Sequence, residues 1–252
     1  DEPTTGLDAR STTRLVGPLR RLLVKSELGA LVGAVAVFAF FAVQSEVFRS
    51  ARGIANWLDP ASTLGIMAVA VALLMIGGHF DLSAGVQTGT AAITGGILTT
   101  YYGVNTWVAL LCAVLAGMLA GMVTGLLHTC MGIPAILAGI LTQLSLYSIN
   151  LTVMAGKANQ AVSATKYDLI VSSRYVKELS LRNPIFITIL ALAALIGVLY
   201  WFFGTEIGCS LRSTGANAAM SRAQGINTNR AKILGLMISN GIVALASALY
   251  SH

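Results

Sequence analysis

Charge is scarce in this sequence. Of its 252 residues, 56% are apolar and 10% charged, whereas a soluble domain carries about 25% charged residues. From Leu82 to Gly156 there is no Asp, Glu, Lys or Arg at all. So few charges cannot cover a water-facing surface, and a single soluble domain is excluded. The apolar stretches do not alternate with polar residues, which excludes a transmembrane β-barrel. Cysteine is also sparse. Cys112, Cys130 and Cys209 show no CxxC or Cys/His spacing, so neither a disulfide framework nor a metal site is expected, and no cofactor is indicated. A phosphate cradle of the form GxxxxGK[ST] is missing too, since Gly156-Lys157 is followed by Ala158. Without it the chain has no means of hydrolysing ATP. No catalytic constellation takes its place, so the chain is not expected to be an enzyme. No signal peptide is expected, since the polar N-terminus carries no cleavage signature before the first apolar run. The net charge of +6 comes from basic residues flanking apolar runs. That distribution suits membrane orientation and, with no basic-aromatic groove, excludes nucleic acid.

What is present is a series of long apolar runs. A helix crossing a bilayer needs about 20 mostly apolar residues. The pattern predicts an all-α, polytopic transmembrane bundle of about seven spans, at 28–43, 58–77, 83–102, 107–128, 134–155, 184–203 and 233–250. Residues 1–27 form a polar, basic tail and 28–252 the transmembrane domain. The tail, with Arg10, Arg14, Arg20, Arg21 and Lys25, is expected in the cytoplasm. Seven crossings then put 204–232 in the cytoplasm, where Arg212, Arg222, Arg230 and Lys232 face only Glu206. The segment 156–184 falls outside despite five basic residues against two acidic ones, a departure that long loops tolerate.

Three stretches carry candidate functional residues. In the fourth span Gly117, Gly121 and Gly125 recur every four residues. They share one helix face and let a neighbouring helix approach closely, either around a pathway or in ordinary bundle packing. In GGHFDLSAG, Asp81 lies between two apolar runs, where a carboxylate is costly unless paired or wetted. Gly77, Gly78 and Gly85 permit a broken helix there. Asp81 and Ser83 read equally as pathway residues or as the cap of the next helix, and His79 is close enough in sequence to pair with Asp81. The third stretch is Glu206–Lys232. Gly215 and Gly225 bracket ANAAMSRAQ, which predicts a short helix in a basic loop, suited to docking a partner or serving as a solvated connector.

These residues carry a resemblance. GGHFDLSAG is similar to the glycine-Asp-Leu-Ser-glycine signature of sugar permeases in ATP-binding-cassette (ABC) importers, and residues 15–130 resemble that group throughout. LRSTGANAAMSRAQGI resembles the coupling segment of the same superfamily. From Gly132 onward, IPAILAGILTQLSLYSIN, KANQAVSATKYD and RYVKELSLRNPIF are similar to relatives assigned to amino acids such as tryptophan. DEPTTGLDARST resembles the Walker B end and D-loop of an ABC ATPase, without the cradle that would give it activity.

The resemblance implies the permease subunit of an ABC importer in the bacterial inner membrane, paired with a second permease. Cytoplasmic ATPase subunits would dock at Leu211, Arg212, Gly215, Asn217, Ala218, Arg222 and Gly225, and an extracytoplasmic binding protein would deliver the solute. Gly77, Gly78, Asp81, Ser83 and Gly85 would border the pathway. A monosaccharide is the expected solute and an amino acid the alternative. Permeases of this group continue past the coupling segment by further spans, whereas this chain stops one span later. A truncated, non-transporting membrane protein or scaffold is one contrasting expectation, and a channel that needs no ATP, and so no coupling helix, is the other.

Overall fold

A computed structural model describes residues 26–155 and 185–251, and every regular element among them is an α-helix. The segment DEPTTGLD and most of the 1–27 tail lie outside the described residues, as does 156–184. The chain divides into two compact units, Asp1–Asn56 and Trp57–His252.

In the first unit, α1 (Ser26–Gln44) is followed by the short α2 (Glu46–Arg49). Ser45 separates them because its side chain caps α2, accepting from the Phe48 amide at 3.3 Å. Phe38 meets Phe48 edge-on at 5.3 Å. Leu31, Val35, Phe38 and Phe40 are all exposed.

α3 (Ala51–Ile76) carries the chain into the second unit, with Pro60 inside it. There follow α4 (Ala84–Thr100), α5 (Thr106–Thr129), α6 (Ala135–Val153), α7 (Ile185–Gly204), α8 (Glu206–Ala216), α9 (Ala218–Ala223) and α10 (Thr228–Ser251). Local chemistry sets several boundaries. Asn105 caps α5 by accepting from the Trp107 amide at 2.9 Å. Thr205 caps α8 by accepting from the Gly208 amide at 3.3 Å, and the chain bends 81° between α7 and α8.

α10 is the central element. Residues 239–244 are buried without interruption, as expected of a helix covered on all sides. α10 contacts α4, α5 and α8, and Ser239 Oγ donates to the Ala70 carbonyl of α3 at 2.8 Å. Ile66, Ala70, Leu73, Leu211, Val243 and Ala246 belong to one core cluster; Ala91, Ala113, Ala244 and Ala248 form another. The second is all alanine for a physical reason. Lipid tails are as apolar as leucine, so helices associate through close contact rather than by expelling water. α5 shows both consequences. Ala109, Ala113, Gly117, Gly121 and Gly125 face inward, while Leu111, Leu115, Leu119 and Val123 are exposed. In water such a face would be an aggregation surface; in lipid it is at home.

Helices cover all seven expected spans, but seven crossings are not confirmed. Among the described residues three helices, Thr106–Thr129, Ala135–Val153 and Thr228–Leu249, are long and apolar enough to cross a membrane, and the bent pair Ile189–Gly204 with Glu206–Ala216 makes a fourth if it counts as one span. α4 is short and polar. Its threonines turn inward on their own helix: Thr90, Thr94 and Thr99 each donate to the carbonyl four residues back. The 206–232 stretch also differs from expectation. Ahead of α10 it holds two helices rather than one, and Gly215 lies in the last turn of α8 rather than ahead of a lone helix.

Candidate functional site

The break between α3 and α4 is built by its glycines. Gly78 adopts φ 73°, a left-handed conformation that glycine takes without steric cost. The amides of Gly77, Gly78 and His79 return to the carbonyls of Leu73, Met75 and Leu74, closing α3. The chain then re-enters the bundle at Asp81, which is 7% exposed. Both readings of this carboxylate have a counterpart in the geometry. Oδ1 accepts from the Ser83 amide at 2.8 Å, a local turn at the start of α4. Oδ2 accepts from Asn240 Nδ2 at 2.7 Å, reaching across to α10. Gly139 of α6 closes the third side, since a Cβ there would lie 3.0 Å from Asp81 Oδ1 and from the Leu82 nitrogen.

Around this link lies a set of buried polar groups. Ser83, Gln87 and Asn240 are fully buried, and Ser83 Oγ, both amide atoms of Gln87 and Asn240 Oδ1 have no hydrogen-bond partner. Buried polar groups in folded proteins are nearly always satisfied, so this cluster has hydrogen-bonding capacity to offer. The glycine seam runs past it. A Cβ on Gly117 would lie 2.7 Å from the Asn240 carbonyl oxygen and 3.1 Å from Gln87 Nε2, and one on Gly121 would lie 3.0 Å from Asn240 Cβ. Gly125 meets Ile233. The three glycines therefore seat α5 antiparallel on α10, beside the group that holds Asp81. Gly85, by contrast, sits in the first turn of α4 with open space around it.

His79 does not hydrogen-bond Asp81. Its ring meets that of His128 edge-on at 5.6 Å. His128 Nδ1 lies 2.8 Å from the Ile133 carbonyl oxygen and its Nε2 3.5 Å from Lys232 Nζ. His79 stands in the break, outside the spans. Burial, and after it the charge of Lys232 and the neighbouring His128 ring, lowers its pKa from 6.5 to about 4, so it is neutral at pH 7.

The coupling-like residues lie at the same end of the bundle. Leu211 is buried and its Cδ1 would stand 3.1 Å from a Cβ on Gly77. Gly215 touches the backbone of residues 76–78. Asn217 caps α9 by accepting from the Met220 amide at 3.0 Å, Ala218 is the first residue of that helix, and Gly225, at φ 86°, follows its end. Arg222 is exposed and donates across the loop to Thr228 Oγ1 at 2.9 Å. Arg212 and Met220 are exposed. A cleft of about 370 Å³ opens between α8 and α10, lined by Ile207, Leu211, Ile226 and Arg230 among others. The two sequence stretches singled out separately, 77–85 and 211–225, thus touch. Asn240, Gln87 and Gly139 were not anticipated. Asn240 had a signal, as a carboxamide in the middle of an apolar span; Gly139 had none.

Comparison with known proteins gives a consistent result. The family model described as branched-chain amino acid transport system / permease component matches residues 53–252. The chain is 38% identical over 202 residues to a tyrosine transport system permease protein of Clostridioides difficile, covering 79% of this chain and 64% of that one. It is 27% identical to the autoinducer 2 import system permease protein LsrC of Salmonella typhi, over 89% of this chain and 62% of the relative. It is also 27% identical to the ribose import permease protein RbsC of Escherichia coli, over 91% and 71%. The chain thus spans a little under two thirds of the length of the first two relatives. No solved structure matches it. Nothing in these similarities supports the ATPase-like reading of DEPTTGLD.

Proposed function

This chain belongs to the family described as branched-chain amino acid transport system / permease component, and from that premise we propose that it forms the membrane pathway of an ATP-driven importer. It is a transporter component and not itself catalytic. ATP would be hydrolysed by separate cytoplasmic ABC ATPase subunits, a second permease subunit would complete the pathway, and an extracytoplasmic binding protein would deliver the solute. The setting is the bacterial inner membrane, with the N-terminus and the α8–α9 segment in the cytoplasm.

The observation that carries this reading is the seating of α8 and α9. A basic helical segment with Arg212 and Met220 exposed is packed against the helix break that bears the one buried carboxylate among the described residues. That arrangement suits a handle on a pathway. A channel needing no motor would have no use for it.

The solute is a small polar molecule. Asp81, Ser83, Gln87 and Asn240 are hydrogen-bonding groups of the kind that meets hydroxyls, and none is a cation that would match a carboxylate; a monosaccharide is the first reading. An amino acid is the second, supported by the similarity to the tyrosine permease.

The test is co-purification with candidate cassette ATPases, followed by reconstitution into liposomes. We expect ATP-dependent uptake of labelled ribose or tyrosine with the cognate binding protein, and weaker ATPase binding by Arg212→Glu and Met220→Asp. Arg222→Glu is less diagnostic because Arg222 also holds Thr228. Unchanged ATPase binding in both of the first two variants would refute the docking assignment.

A further inference from the structure

α8 and the break before α4 meet with no side chain between their backbones. A Cβ on Gly215 would run into the Ile76 carbonyl oxygen and stand 2.7 Å from the Gly77 carbonyl carbon and 2.8 Å from the Gly78 nitrogen. In return, a Cβ on Gly78 would lie 2.9 Å from Gly215 Cα and 3.0 Å from the Gly215 oxygen. Neither position has room for even a methyl group, and the φ of 73° at Gly78 disfavours any other residue for a second reason.

One helical turn earlier, Leu211 makes the second contact. It is 2% exposed. Its Cδ1 would stand 3.1 Å from a Cβ on Gly77 and 2.8 Å from one on Gly235, so it fills the notch that these two glycines leave between α3 and α10. Residues 211 and 215 lie on the same face of α8. Two contacts on one face, a turn apart, resist both sliding and rotation of α8 against the end of α3.

The break leads directly to Asp81, which is bonded to the Ser83 amide and Asn240 and closed in by Gly139. Packed interiors do not deform continuously; they shift as units. A displacement of α8 has no side chain to absorb it at this joint, and passes to the 76–78 backbone and on to Asp81.

We propose that Gly78 and Gly215, keyed by Leu211, form a backbone-to-backbone joint that transmits movement of the α8–α9 segment to Asp81 and the start of α4. These three are positioning residues. The proposal rests on the reading that an ATPase docks on α8–α9.

The experiment uses the chain with its ATPase in nanodiscs. Cys112, Cys130 and Cys209 are replaced by Ser, and Ser83→Cys supplies a buried reporter. The rate at which a charged methanethiosulfonate modifies the thiol introduced at position 83 is measured without nucleotide and with ATP plus vanadate. We expect a nucleotide-dependent change of about tenfold, within the usual range of coupling between distant sites. Leu211 and Gly215, expected from the sequence at the docking surface, face Gly77, Gly235 and the 76–78 backbone instead, so Arg212 and Met220 carry the docking. Gly215→Ala, which forces the backbones apart, and Leu211→Ala, which adds no atoms, should each cut the change to less than about twofold, with ATPase co-purification measured alongside. Gly197→Ala, in open space, should keep it. A full nucleotide response in both Gly215→Ala and Leu211→Ala, with ATPase bound, overturns the joint. Absence of ATPase binding by the parent chain overturns the docking reading, and the joint with it.

Discussion

Replacing Asn240 by Ala tests the link between α10 and the helix break. Asn240 Nδ2 lies 2.7 Å from Asp81 Oδ2, and both residues are buried. A hydrogen bond to a charged acceptor contributes about 1.5–3 kcal/mol in soluble proteins. Polar contacts inside membrane proteins average about 0.6 kcal/mol and reach about 1.7, because the unfolded chain in lipid finds other partners. The short distance and the burial of both residues put this bond toward the upper end. Loss of Asn240 Oδ1, which has no partner, offsets part of the cost. The expected net destabilisation is about 1–2 kcal/mol. Equilibrium unfolding in bicelles by a denaturing detergent measures it. A double-mutant cycle with Asp81→Asn isolates the pair, since an amide at 81 no longer presents two acceptor oxygens to the Ser83 amide and Asn240. The double variant should be less destabilised than the sum of the singles by about 1 kcal/mol, whereas independent sites add to within about 0.3–0.5 kcal/mol. Additivity within that margin would refute the claim that Asn240 holds Asp81.

Three further outcomes follow from the geometry. Gly121→Ala places a methyl against the Leu236 carbonyl and 3.0 Å from Asn240 Cβ, and should destabilise by about 1–3 kcal/mol; Gly197→Ala, in open space within α7, should stabilise slightly, both read as midpoints of the same unfolding titration. His79 binds its proton less readily in the fold than unfolded, with a pKa of about 4 against 6.5. Its contribution is therefore full above pH 6.5 and is lost as pH falls toward 4, so thermal stability should decline across that window, and His79→Gln should flatten the decline. Asn217→Ala removes the cap on α9 at a cost of about 1 kcal/mol, visible as faster hydrogen exchange in 218–223; unchanged exchange would show that packing alone holds α9.

Much of the secondary structure was legible because long apolar runs with glycine and proline punctuation leave few alternatives to helices. The limits are equally physical. α8 was missed because EIGCSLRSTGA has as many glycines and serines as strong helix formers, and its helix is held by tertiary contacts at Leu211 and Gly215. The crossing count stayed open for a related reason: α4 is too short and polar to identify itself as a span, and its threonines are satisfied only once the helix has formed.

By itself, the sequence determined that this protein lives in lipid as a bundle of helices, because the absence of charge from Leu82 to Gly156 leaves no other solvent. It also determined which residues stand out chemically, above all Asp81 and the glycines. Only the tertiary structure decided what they face. That Asp81 is held by Asn240, 159 residues away, and that Gly215 rests on Gly77 and Gly78, depends on which helices adjoin. A glycine's spacing states that a close approach is possible, but the absence of a side chain carries no information about the partner that comes to fill it.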